Sequence, residues 1–157
     1  MANTTFSGPV ISTNGFIGDL TGNVTGNVTG NIAGTGRITH ATTSAINATA
    51  TATAAEVATG YITSTSAAAV SITLPTGTLL GAALGAARGT VFDLYIDNTA
   101  GANAVTVLVA TNGIKSDAAN TTAASFGQST VASGATGIGR FTIMFSSATA
   151  YVFTRTA

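Results

Sequence analysis

A four-residue unit repeats between Gly18 and Ala33, and it constrains the chain more than any other feature. Gly18-Asp19-Leu20-Thr21 is followed by Gly22-Asn23-Val24-Thr25, Gly26-Asn27-Val28-Thr29 and Gly30-Asn31-Ile32-Ala33; Gly34-Thr35-Gly36 then breaks the series. Even positions carry glycine or a branched aliphatic, and odd positions carry Asp, Asn, Thr or Ala. A strand turns successive side chains to opposite faces, so the repeat reads as a thin apolar-and-glycine face backed by a polar one. A helix would scatter these residues around its axis and lose roughly 1 kcal/mol at each interior glycine. Extended at about 3.3 Å per residue, the repeat reaches on the order of 50 Å, far beyond an ordinary strand. A single copy cannot bury such a face or satisfy its own backbone. The simplest partners are further copies of the same chain.

The remaining composition bounds the function classes. The 157 residues leave room for one compact domain plus an arm. Charged residues make up 6% of the chain, against roughly 25% in ordinary globular proteins. Net charge is zero, so neither a nucleic-acid footprint nor a polybasic membrane patch is expected. Thr, Ala and Gly together form about half of the sequence, yet the hydrophobic fraction is 45% and β-branched residues recur at strand spacing, which is not a disordered composition. So little charge suits close strand packing and a large oligomeric interface. There are no cysteines, so disulfides and thiolate metal sites are excluded. Met1-Ala2-Asn3-Thr4-Thr5 lacks the basic start and apolar core of a signal peptide, and no apolar run approaches the 20 or so residues of a membrane span. Synthesis in a cytoplasm, without secretion by such a signal, is the expectation.

Three regions follow. Residues 1–40 form an extended arm holding the repeat; Pro9 confines its start to an edge strand or free arm, and Asn14-Gly15 signals a tight turn. Residues 41–59 are an Ala/Thr-rich connector, read as extended or irregular, with a strand or a helix near Thr53 to Ala58 as alternatives. Residues 60–157 form a β body. Val70, Ile72 and Leu74 alternate up to Pro75; Val91 to Ile96 is a buried strand closed by Asp97-Asn98; Val105, Val107 and Val109 alternate up to Asn112-Gly113. Apolar spacing across Thr78 to Ala87 predicts one short helix. Small polar loops are expected over 115–137, and Phe141, Ile143 and Phe145 are expected to pair with Tyr151 and Phe153 as a terminal hairpin. The predicted class is all-β: a small β-sandwich or jelly-roll-like domain with an extended, intertwining N-terminal β arm and one short helix.

Catalytic chemistry finds no support in the residues. His40 is the single histidine, which argues against a metal centre, and it reads as an ordinary solvent-facing residue. Of the carboxylates Asp19, Glu56, Asp93, Asp97 and Asp117, Asp19 reads as a polar strand-face residue. Asp93 falls within a strand, with Arg88 or Arg140 as a partner across a subunit boundary. No spacing supports an acid–base pair, and no Gly-x-Ser-x-Gly elbow is present. Gly81-x-x-x-Gly85-x-x-x-Gly89 reads as a small-residue helix lying against a sheet, since it is too short for a membrane span. Gly134-x-x-Gly137-x-Gly139 lacks the strand and helix of a phosphate loop. The Asn-x-Thr triplets at Asn23, Asn27, Asn47 and Asn120 are by-products of an Asn- and Thr-rich chain. No enzyme activity, cofactor or metal is expected. The repeat itself has three readings: a passive spacer, an ice-binding Thr array, or a multichain β structure with Leu20, Val24, Val28 and Ile32 facing a shared axis. Its strict alternation favours the third.

Thr4-Thr5-Phe6-Ser7-Gly8-Pro9-Val10, Asn14-Gly15-Phe16 and the Gly-Asp/Asn-Leu/Val-Thr-Gly repeat resemble the N-terminal arms of virion structural proteins of tailed phages: capsid decoration (cement) proteins, head fibres and tail fibres. Gly139-Arg140-Phe141-Thr142 through Ala150-Tyr151-Val152-Phe153-Thr154-Arg155 is similar to the closing hairpin of small β domains in such proteins. The resemblance implies a homotrimer on the outer capsid surface of a virion, bound to the major capsid protein and stabilising the shell. An arm that cannot fold alone would order on trimerisation and shell contact. Phe6, Pro9, Phe16, Leu20, Val24, Val28 and Ile32 are the candidate oligomer or capsid interface. The alternative within the same class is a short tail or head fibre that binds host surface glycans. The chain is short for a receptor-binding fibre, and the sequence displays no aromatic-rich carbohydrate site.

Overall fold

The computed structural model describes residue 40, residues 42–115 and residues 129–156. The chain divides into two units, Met1–Arg37 and Ile38–Ala157, and the described residues belong to the second. The repeat and all seven candidate interface residues, Phe6, Pro9, Phe16, Leu20, Val24, Val28 and Ile32, lie outside the described residues.

In chain order the elements are β1 (Ser44–Ala45), β2 (Ala50–Thr51), α1 (Ala54–Ala58), β3 (Tyr61–Thr63), β4 (Val70–Thr73), α2 (Gly77–Leu84), β5 (Val91–Asp97), β6 (Val105–Leu108), β7 (Gly113–Lys115), β8 (Thr130–Val131), a 3-10 turn (Gly134–Thr136), β9 (Ile138–Ser147) and β10 (Ala150–Arg155). They build two mixed sheets, one in the order β1-β3-β5-β9-β10-β7 and the other β2-β4-β6-β8. The first six strands alternate between the sheets. On each return the chain lands beside its previous strand in the same direction. Ser44 thus pairs with Ile62 and Ile62 with Ile96, while Ala50 pairs with Ile72 and Ile72 with Val107, all in parallel. Parallel neighbours need a crossover; here the crossover is a strand of the other sheet, with α1 or α2 at some of the corners. The domain is therefore β-rich, as its alternation predicts. A jelly roll is antiparallel throughout, whereas five of the eight described pairings are parallel.

The segment read as a connector contributes β1, β2 and α1, so it supplies the first strand of each sheet. Its helix is nucleated by a capping box. The Thr53 hydroxyl accepts the Glu56 amide at 3.2 Å, and the Glu56 carboxylate accepts the Thr53 amide at 2.7 Å. Such caps contribute about 1 kcal/mol. Among the described residues there are two α-helices where one was expected, and the predicted one is α2. Its glycines do what close packing requires: a Cβ on Gly77 or Gly81 would run into the backbone of Ala148 and Thr149, the turn between β9 and β10.

One hydrophobic cluster takes side chains from both sheets: Ile62, Leu94, Ile96, Phe141, Ile143 and Phe145 from the first, Val70, Ile72, Val105 and Val107 from the second. Each such side chain is worth about 1.5–3 kcal/mol when fully buried. The expected terminal hairpin forms, with Tyr151 opposite Phe145 and Phe153 opposite Ile143. The diagonal pair Phe141 and Phe153 stacks at 4.8 Å between centroids. Asn98, fully buried at the end of β5, joins the two sheets. Its backbone N–H donates to Gly137 O at 2.6 Å, and its side-chain amide donates to Asn103 O and Ala132 O, both at 2.9 Å.

Candidate functional site

The inward residues of β3, β5, β9 and β10 are accounted for by the core; the outward ones are not. Strand register sorts them into rows. Tyr61 lies beside Tyr95 and Tyr95 beside Arg140; Asp93 lies beside Thr142; Thr63 lies beside Asp97. The first row gathers an aromatic cluster. Tyr61 and Tyr95 are 6.3 Å apart with rings 22° from parallel, and the Arg140 guanidinium lies 5.9 Å from the Tyr95 ring centroid.

His40 completes this cluster. Its ring is tilted against Tyr61 at 5.9 Å and against Tyr95 at 5.6 Å, and its Nδ1 donates to Thr59 O at 2.8 Å. Gly60 makes the room. A Cβ there would stand 2.5 Å from the imidazole, and φ of +73° is backbone that side-chain-bearing residues rarely adopt. The single histidine is thus a half-buried wall of a depression, where the sequence suggested an ordinary surface residue.

The carboxylates around the cluster are held ionised. Asp93 accepts from Arg140 Nη2 at 2.6 Å and from Thr142 Oγ1 at 2.9 Å. The Arg140 hydrogen bond, with smaller help from Thr142 and the guanidinium charge, lowers its pKa against the opposing effect of burial. The expected Asp93–Arg140 partnership therefore forms, but within one chain. Asp97 accepts from the Thr99 hydroxyl at 2.6 Å, the Thr99 amide at 2.9 Å and the Tyr61 hydroxyl at 2.9 Å. The Thr99 bonds lead in lowering its pKa, while burial and then Asp97 raise that of Tyr61. Carboxylates so held are hydrogen-bond acceptors at neutral pH rather than proton donors.

His40, Tyr61, Val91, Phe92, Asp93 and Tyr95 together line an open depression of about 390 Å³. Sequence reasoning missed it because its residues come from three separated segments, and only the parallel register of β3 and β5 puts Tyr61 beside Tyr95. The legible signal was modest: two of the three tyrosines sit at outward positions of alternating strands. Among the described residues no group of three or more His, Cys, Asp or Glu could hold a metal ion, and no helix is long and apolar enough to cross a membrane.

A second outward row runs beside the depression. Ile114 of β7 pairs with Val152, Val152 with Met144, and Met144 with Val91, so four apolar residues line up across four strands. Val91 is 58% exposed, Met144 50% and Ile114 57%. No protein-family model, no curated protein and no solved structure matches the chain.

Proposed function

We propose that this protein is a non-enzymatic virion component of a tailed phage: a capsid decoration (cement) protein that assembles as a homotrimer and binds the major capsid protein on the outer surface of the shell. The observation that carries the reading is the coexistence of two partner-seeking features in one chain. Read as a strand, the Gly-Asn-Val-Thr repeat would present an aliphatic face that one copy cannot bury, and the body exposes an apolar row across four strands. Resemblance of the arm sequence to phage decoration and fibre proteins supplies the setting. Intertwined arms would slow dissociation, because chains must unwind before they separate.

The test is cosedimentation with purified expanded capsids, together with the capsid melting temperature. Binding with a raised melting temperature is expected. Replacing Val24 and Val28 with Asp should abolish stable association through the arm. A double variant that assembles and binds capsids normally would show the repeat to be a spacer.

The aromatic depression favours a second reading, a short tail or head fibre that contacts host surface glycans. Binding to host cells without affinity for capsids is its expected signature.

A further inference from the structure

The geometry points to the depression between His40, Tyr61 and Tyr95 as a binding site for a neutral saccharide. This deepens the second reading above by naming the ligand class and the residues that take it, and it stands equally if the protein decorates a capsid.

Three observations converge. First, the two tyrosine rings stack on adjacent strands, 6.3 Å apart and 22° from parallel, with His40 tilted against both as a wall. Aromatic side chains lining a depression offer apolar surface to the C–H groups of a pyranose and polar tips to its hydroxyls. Second, the rim is rich in acceptors. An ionised carboxylate has about four lone-pair sites. Asp93 uses two of them, on Arg140 and Thr142. Asp93 itself lines the depression, with its side chain 34% exposed. Sugar hydroxyls are donors of the kind such a carboxylate accepts, and the bonds are charge-assisted.

Third, charge selects among sugars. Asp93 and Asp97, two carboxylates, stand against the one guanidinium of Arg140. Arg140 is already engaged by Asp93 at 2.6 Å. A sialylated or phosphorylated glycan would meet two carboxylates, with the Arg140 guanidinium already taken by Asp93. The volume of about 390 Å³ falls at the small end of ligand sites, suited to one or two sugar rings.

The chain supplies its own reporters. It has three tyrosines. Tyr61 and Tyr95 line the site, while Tyr151 is buried in the core with its hydroxyl donating to Pro75 O at 3.0 Å. Tyrosine-labelled full-length protein is titrated by NMR with lactose, maltotriose and N,N′,N″-triacetylchitotriose, and with 3′-sialyllactose as the anionic probe. At least one neutral probe is expected to shift the Tyr61 and Tyr95 ring signals saturably and leave Tyr151 unmoved. Tyr95→Ala, checked for an unchanged melting curve, should weaken that binding by about tenfold or more. Asp93→Asn, which preserves shape, should weaken it severalfold. Should Tyr95→Ala fail to fold, the ring shifts of the unmodified chain and the Asp93→Asn titration decide the matter. The inference is overturned if no neutral probe moves Tyr61 and Tyr95 at 20 mM, if Tyr151 shifts equally, or if 3′-sialyllactose binds more tightly than every neutral probe. None of these outcomes depends on capsid binding.

Discussion

The two faces of the larger sheet are made from the same strands and obey different rules. Along β9 and β10 the inward residues Phe141, Ile143, Phe145, Tyr151 and Phe153 are all at most 2% exposed. The outward residues on those strands are Arg140, Thr142, Met144, Val152 and Thr154, a mixture of charge, hydroxyl and exposed aliphatic. Folding explains the inner face completely, because burial of large side chains is what holds the domain together. It does not explain why Met144, Val91 and Ile114 share one exposed row, or why Tyr61, Tyr95 and His40 gather around an open depression. Residues that stability does not demand are the ones to question for function.

Substitutions can sharpen that contrast. Phe141→Ala on the inner face should destabilise the fold by about 3–5 kcal/mol, the cost of a large cavity, read as a loss of urea midpoint. At the seam between the sheets, Asn98→Ala removes the donors for Asn103 O and Ala132 O and should cost about 1–3 kcal/mol, because buried carbonyls lose their partners. A comparable outcome for Asn98→Ala and Thr154→Ala would remove the distinction between seam and surface.

Tyr151→Phe deletes the bond to Pro75 O and should cost about 1–2 kcal/mol. Burial pushes the Tyr151 hydroxyl up to about 12, against about 10 in an unfolded chain. The folded state then holds the proton more tightly, so stability should fall as pH rises from about 10 towards 12. The Phe variant should lose that part of the alkaline slope, measured by urea unfolding across this range.

On the outer face, Asp93 and Asp97 both lie below the usual carboxylate range. An unfolded chain therefore takes up protons first as pH falls. Their contribution is complete above about pH 4 and disappears as pH drops through the folded values. Asp93→Asn should flatten the acid limb: its stability deficit is present in full at pH 7 and closes as pH drops through the folded value. The smallest stability effect belongs to Met144→Asp, expected within about 0.5 kcal/mol because the position is half exposed. Its consequence should appear in association instead.

The sequence revealed elements better than their arrangement. Alternation located β4, β6 and the β9–β10 hairpin, because period-two burial is written directly into Val70, Ile72, Phe141, Ile143 and Phe145. The β5 sequence reads as a buried run, whereas only Leu94 and Ile96 are buried in it and Val91 is 58% exposed. Which strand lies beside which is another matter. Parallel pairing of Ser44 with Ile62 and of Ile62 with Ile96 spans a crossover through the other sheet and leaves no local turn signature. The Ala/Thr stretch hid two strands and a helix behind low complexity, although Thr53-Ala54-Ala55-Glu56 is a capping-box pattern. The Asp93–Arg140 pair was legible as chemistry but not as an intrachain contact. The depression was illegible for the same reason as the topology.

The measurement closest to the centre is the solution mass of the purified chain by light scattering, beside the Val91→Asp/Met144→Asp variant and a variant lacking residues 1–36. The account predicts three times the chain mass for the intact protein, weakened by removing the arm and by charging the apolar row. A stable monomer at working concentration would contradict it, since neither the repeat nor the outward row would then have the partner that explains it.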